Sequence, residues 1–178
     1  MRLGSVASLT MFSPQQPILL IDVDGVISLF GGLQTGPATD PTLVPALVDG
    51  VPHFLSRGAA VQLARLASVF ECVWCTGWEE RAEEHLPRLL DLPGGWPHLR
   101  FSEFPVPDAH WKLPAIDAHV GASRPVAWVD DAHDERCVQW AAERPGPTLL
   151  IGTDPAEGLT ELQASELLEW VGSLRISE

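Results

Sequence analysis

Three short apolar runs in this chain show no alternation, and each stops abruptly on polar residues. Ile18-Leu19-Leu20-Ile21 runs into Asp22-Val23-Asp24-Gly25, Cys72-Val73-Trp74-Cys75 into Thr76-Gly77, and Val126-Ala127-Trp128-Val129 into Asp130-Asp131. A strand with one wet face alternates apolar and polar residues, so an unbroken run implies cover on both faces, the condition of a parallel strand between helices. Helical spacing fills the intervals, over Gly58 to Phe70, Trp78 to Leu90, His110 to His119 (short, because of Pro114), His133 to Glu143 and Leu159 to Leu174. Thr148 to Gly152 reads as a fourth strand, with Val51 to Leu55 and His98 to Phe104 as weaker candidates. Gly31 to Pro45 is too punctuated by glycine and proline for more than a small hairpin. Strands alternating with helices predict an α/β class: a three-layer, Rossmann-like domain with a mostly parallel central sheet and helices on both faces.

The chain has 178 residues, the size of one domain. Residues 1–16 read as a poorly ordered extension, in which Met11 is an alternative start, and 17–178 as a single catalytic domain. The net charge of −13, from 24 acidic against 11 basic residues, argues against a broad nucleic-acid or anionic-membrane surface. It leaves room for a local contact with a nucleic-acid end. No stretch approaches the roughly 20 apolar residues of a membrane span, and the N-terminus lacks a leader's apolar core. With an odd cysteine count, the expectation is a soluble cytoplasmic protein, its oligomeric state open to a homo-oligomer. Cys72 and Cys75 should point to opposite faces of a strand and find no second ligand pair, so they read as buried thiols rather than a zinc site.

In an open α/β sheet, ligands bind at the carboxyl ends of the strands, so the polar residues closing three runs should converge. Asp22 and Asp24, one residue apart, share a face of an extended chain, and Gly25 lets the chain turn. Asp130 adds a carboxylate from another strand. Crowded carboxylates resist joint ionisation unless a cation intervenes, and hard oxygen ligands suit Mg²⁺. Thr76 and Gly77 precede a helix, where a hydroxyl and free N–H groups favour an anion. Lys112 is the only lysine in the chain, a compact charge suited to neutralising carboxylates and a phosphate.

The order Asp-x-Asp-Gly, Thr-Gly, Lys, Asp-Asp resembles the four motifs of the haloacid dehalogenase (HAD) superfamily, over about residues 17 to 152. The stretches LLIDVDGVI, VWCTGWEERA, WKLP, RPVAWVDD and TDPAEGLT are also similar to small HAD domains associated with Swiss-Army-Knife RNA repair proteins. The resemblance implies a Mg²⁺-dependent phosphatase acting through an aspartyl-phosphate. Asp22 would be the nucleophile and Asp24 the general acid and base. Asp22, Asp24 (through its backbone carbonyl) and Asp130 would hold Mg²⁺, with Asp131 or Asp134 ordering metal-bound water. Thr76 and the Gly77 N–H would bind the phosphoryl group, and Lys112 would stabilise charge.

Many relatives carry a cap domain. Here roughly 50 residues separate Asp24 from Thr76 and roughly 35 separate Thr76 from Lys112, too few for a cap once core elements are subtracted. The expectation is an open, capless site, shielded by a flap over Ile27 to Pro37 or by another subunit, and a bulky substrate or phosphorylated polymer end. Trp78, Arg81 and His110 are candidate substrate contacts. Trp74, Trp96, Trp128 and Trp140 read as packing, and His110, His119 and His133 as surface or supporting groups. A non-catalytic HAD-like binding module and a phosphotransferase stand as alternatives. A signalling receiver fits less well, since its acid pair precedes the phosphorylated aspartate.

Overall fold

The computed structural model describes residues 16–31, 41–102 and 110–174. The extension up to residue 15 with its alternative start Met11, most of the glycine-rich flap, and the end of the His98 to Phe104 strand lie outside the described residues. Four apolar segments become a parallel sheet: β1 (Ile18–Ile21), β4 (Glu71–Trp74), β5 (Val126–Asp130) and β6 (Thr148–Gly152), in the order β4-β1-β5-β6. Five helices accompany it: α1 (Arg57–Leu66), α2 (Glu80–Leu90), α3 (Leu113–Val120), α4 (Glu135–Glu143) and α5 (Glu161–Leu174). A mixed α/β architecture around a parallel sheet is therefore what the chain adopts. None of these helices is long and apolar enough to cross a membrane.

Strand alternation sorts the core into two layers. Leu19 and Ile21 of β1, Cys72 and Trp74 of β4, and Ala127 and Val129 of β5 pack with Leu63 and Leu66 of α1, Leu86 of α2 and Leu167 of α5. The intervening Ile18, Leu20, Val73, Cys75, Val126 and Trp128 pack on the other face with Ile116 of α3 and Cys137 of α4. Cys72 and Cys75 thus fall on opposite faces, and all three cysteines are free and buried. Burying both faces is why β1, β4 and β5, past Glu71 at the start of β4, carry no polar residue until they end.

Two elements depart from the sequence reading. An antiparallel hairpin pairs the candidate strand at Val51 to Leu55, now β3 (Val51–Ser56), with β2 (Leu43–Val48), which starts inside the segment expected to hold no more than a small hairpin and runs past it. It tolerates Pro45 and Pro52 because a two-stranded ribbon has only edges, where a missing N–H is affordable. Its turn, Asp49-Gly50, has positive φ at both residues (51° and 80°), the requirement of a type I′ connection. The weak strand at His98 reduces, among the described residues, to a single parallel bridge with Trp74. The Trp74 N–H donates to Pro97 O and the Leu99 N–H to Trp74 O, each at 2.8 Å. The helix expected from His110 begins at Leu113, with Pro114 in its first turn, where its missing N–H costs nothing.

The strand order places the site. β1 lies between β4 and β5, so the chain leaves β1 toward one side and later returns on the other. Such a reversal opens a crevice at the carboxyl ends of the two strands, here β1 and β5. Asp22 and Asp130 stand at those ends.

Candidate active site

Asp22 follows β1 directly, and its N–H donates to Val129 O at 3.0 Å, which fixes it beside the end of β5. The chain then turns tightly, with the N–H groups of Val26, Ile27 and Ser28 all directed at Val23 O (3.2, 2.9 and 2.9 Å). Gly25 makes the turn at φ 72°. A Cβ there would lie 2.4 Å from both the carboxyl carbon and Oδ2 of Asp131, so Asp131 rests against the Asp-x-Asp-Gly loop only because that residue is glycine. The Thr153 hydroxyl, just beyond β6, donates to Gly25 O at 2.8 Å and anchors the same loop.

Lys112, 3% exposed, stands where α3 begins and reaches across the crevice. Its Nζ lies 3.0 Å from Asp22 Oδ2 and 2.6 Å from Asp130 Oδ2. Asp130 is fully buried, and its carboxylate also accepts from Trp128 Nε1–H and from the Ala132 N–H, both at 3.0 Å. Trp128 and Asp130, two apart on one strand, share a face, so the tryptophan read as packing also orients a site carboxylate. His110 and His133 pack edge-on against the Trp128 ring, at 5.6 and 4.5 Å between centroids. Both belong to the support of the site.

Asp22, Asp130 and Asp131 each offer an oxygen within 4.8 Å of the others. Asp24 does not join them. Its side chain is exposed, and its Oδ2 accepts from Trp78 Nε1–H at 3.0 Å. Sequence gave no sign of that contact, which spans 54 positions. Asp131 and Asp134 sit in different surroundings. Asp134 Oδ1 accepts from the N–H groups of Arg136 and Cys137 (3.0 and 3.1 Å) and caps α4, while Asp131 faces the cluster.

Thr76 lies at the same end of the neighbouring strand β4, whose register pairs Ile21 with Trp74. It is buried, and its Oγ1 accepts from the Trp78 N–H at 3.3 Å, leaving its own proton free to donate. Gly77 is exposed at the rim, with the half-exposed ring of Trp111 3.8 Å from where a Cβ would be. Arg81 is turned away and paired with Asp49 on the hairpin.

Three carboxylates around one ammonium leave a surplus of negative charge. Burial pushes the Asp22 carboxyl up to about 6, helped by Asp130 and opposed by the Lys112 ammonium. Burial alone would pull Lys112 down, but the charges of Asp22 and Asp130 outweigh it and hold the ammonium up at about 12. Burial, with Asp130 beside it, also raises Asp131. Such a cluster can accept a divalent cation, present a carboxylate to an electrophile, and balance an incoming anion with Lys112. The chain matches no protein-family model and no curated protein.

Proposed function

We propose that this protein is a capless, Mg²⁺-dependent phosphatase of the HAD type, working through an aspartyl-phosphate. The observation that carries the reading is the buried Lys112 ammonium in contact with both Asp22 and Asp130 at the crevice beside β1. An attacking carboxylate that must approach a phosphate dianion needs such a charge close by.

An oxygen of Asp22 attacks phosphorus as the bond to the leaving oxygen breaks, and Asp24 delivers its proton to that oxygen. Water then attacks phosphorus and gives its proton to Asp24, while the bond to Asp22 breaks and inorganic phosphate leaves. The Thr76 hydroxyl and the Gly77 N–H donate to phosphoryl oxygens, and Lys112 balances charge on Asp22 and on the phosphate. Trp78 holds one oxygen of Asp24, which fixes the acid's position.

The donor set fits Mg²⁺: hard oxygens of Asp22, Asp130 and Asp131 converge, and the surplus negative charge favours a small dication. These three side chains would hold it, with the Asp24 carbonyl as a further oxygen. When bound, Mg²⁺ supplies electrostatic stabilisation of the phosphoryl oxygens. The capless reading is supported by what separates the motifs among the described residues: one hairpin and α1 before Thr76, and α2 before Lys112.

The test is hydrolysis of p-nitrophenyl phosphate with Mg²⁺ or with EDTA, for the natural chain and for Asp22→Asn. Turnover that needs Mg²⁺ and disappears in the variant is expected. Undiminished turnover in Asp22→Asn would remove the nucleophile, and phosphate appearing on an added alcohol instead of water would make the protein a phosphotransferase.

A further inference from the structure

We infer that the substrate's leaving group is an uncharged alcohol with an apolar or ring-bearing body, seated in the cavity between Asp24 and Phe30. This rests on the phosphatase reading and deepens it. A general acid must lie within hydrogen-bond reach of the oxygen it protonates, so the leaving group lies where the Asp24 carboxyl lies. That carboxyl is fixed. Trp78 donates to its Oδ2, and the Trp78 ring packs edge-on against His53 at 4.6 Å between centroids. His53 Nδ1 in turn hydrogen-bonds Ser28 Oγ at 2.9 Å. An indole N–H only donates, so the proton Asp24 transfers resides on Oδ1.

Beside this carboxyl opens a cavity of about 390 Å³, whose walls include Asp24, Leu29, Phe30, Pro52, His53 and Phe54. Its shape is set by backbone: the Leu29 N–H donates to Phe54 O and the Phe30 N–H to Pro155 O, both at 2.9 Å. The Phe30 ring is 48% exposed, an apolar surface held at the mouth. No lysine or arginine is among the described lining residues. Arg81 lines a separate cavity of about 210 Å³ that shares His53 as a wall, and it is paired with Asp49. A second phosphate or a polynucleotide backbone on the leaving group would find no lysine or arginine among those described residues, beside Asp24 and on a chain of net charge −13. An uncharged apolar body would cover Phe30, Leu29 and Pro52. The phosphorylated polymer end expected of an open, capless site fits this cavity poorly when the polymer is a nucleic acid.

The experiment compares kcat/KM of the full chain with Mg²⁺ for 2-phenylethyl phosphate, ethyl phosphate and a 3′-phosphorylated oligonucleotide, in the natural protein and in Phe30→Ala. Phe30 is half-exposed, so its truncation leaves the core untouched. The phenylethyl ester should exceed the ethyl ester by about tenfold or more, the discrimination an apolar pocket gives for added apolar bulk. Phe30→Ala should erase most of that ratio by lowering the phenylethyl value more than the ethyl value, and the oligonucleotide should be the poorest substrate. Turnover that depends on Asp22 but shows equal kcat/KM for the two esters, or a preference for the oligonucleotide, overturns this inference alone. Failure to hydrolyse any of the three overturns the phosphatase reading and the inference with it.

Discussion

Replacing Lys112 by methionine separates the site's electrostatics from its packing, since methionine fills much of the same volume without the charge. In the natural chain the ammonium lies 3.0 and 2.6 Å from two carboxylates that are both below 10% exposed. Without it, Asp22 loses the interaction that opposes burial, and its carboxyl rises above its value of about 6. The sign follows from the direction of the shift. An acid whose folded pKa lies above its unfolded 3.8 folds most favourably protonated, so stability falls as pH rises through the folded value. At pH 8, keeping Asp22 protonated against an unfolded pKa of 3.8 costs about 6 kcal/mol, and the natural shift to about 6 already costs about 3. The variant's added cost from Asp22 at pH 8 is therefore at most about 3 kcal/mol, reached if the carboxyl stays protonated there. Near pH 5 the carboxyl is protonated in both proteins and this contribution vanishes. For a chain of this size the pH 8 loss corresponds to a Tm lower by at most about 6 to 12 °C. Thermal unfolding in EDTA at pH 8 and pH 5 measures it. A Tm loss at pH 8 no larger than at pH 5 would refute the charge argument. Mg²⁺ at pH 8 should restore more of the loss in the variant than it adds to the natural chain.

Gly25→Ala forces a side chain into the Asp131 carboxyl and into a left-handed backbone, so it should cost at least 1 to 2 kcal/mol in urea unfolding and weaken Mg²⁺ binding by calorimetry. Asp131→Asn should lower Mg²⁺ affinity at least tenfold, whereas Asp134→Ala should leave affinity and turnover unchanged and lose about 1 kcal/mol of stability with its helix cap; the reverse pattern would exchange their roles. Trp78→Phe keeps the ring and removes the N–H held by Asp24. It should slow hydrolysis of alkyl phosphates, which need a proton on the leaving oxygen, more than that of p-nitrophenyl phosphate; equal slowing would show that Trp78 does not position the acid.

What sequence reveals here depends on how locally each feature is determined. β1, β4 and β5 were legible because burial on both faces leaves an unmistakable local record, four apolar residues in a row, while the edge strand β6 left a shorter one of three. The residues that end them were legible for the same reason: Asp22, Thr76 and Asp130 mark where the chain leaves the core. The β2–β3 hairpin left a fainter record. Its strands alternate weakly and contain Pro45 and Pro52, and the informative signal was the two residues Asp49-Gly50, whose positive φ values suit a tight turn. Lys112 stood out by composition alone, as the sole lysine, but its reach to Asp22 and Asp130 depends on how α3 docks on the sheet.

The supporting contacts divide along the same line. Trp128 sits two residues before Asp130, so strand periodicity alone puts the two side chains on one face, and the hydrogen bond from Trp128 Nε1 follows from spacing. Thr153, bonded to Gly25 O, and Trp78, bonded to Asp24, belong to elements that meet only after the sheet and its connections are assembled. Asp24 is the instructive case. Its spacing from Asp22 put the two carboxyls on one face of an extended chain, yet an exposed side chain at the start of the Gly25 turn is free to follow whichever donor the fold supplies. The fold supplies Trp78, so the second acid lines the cavity beside Phe30 instead of joining the carboxylate cluster, and a pair of identical residues two positions apart acquires two different surroundings.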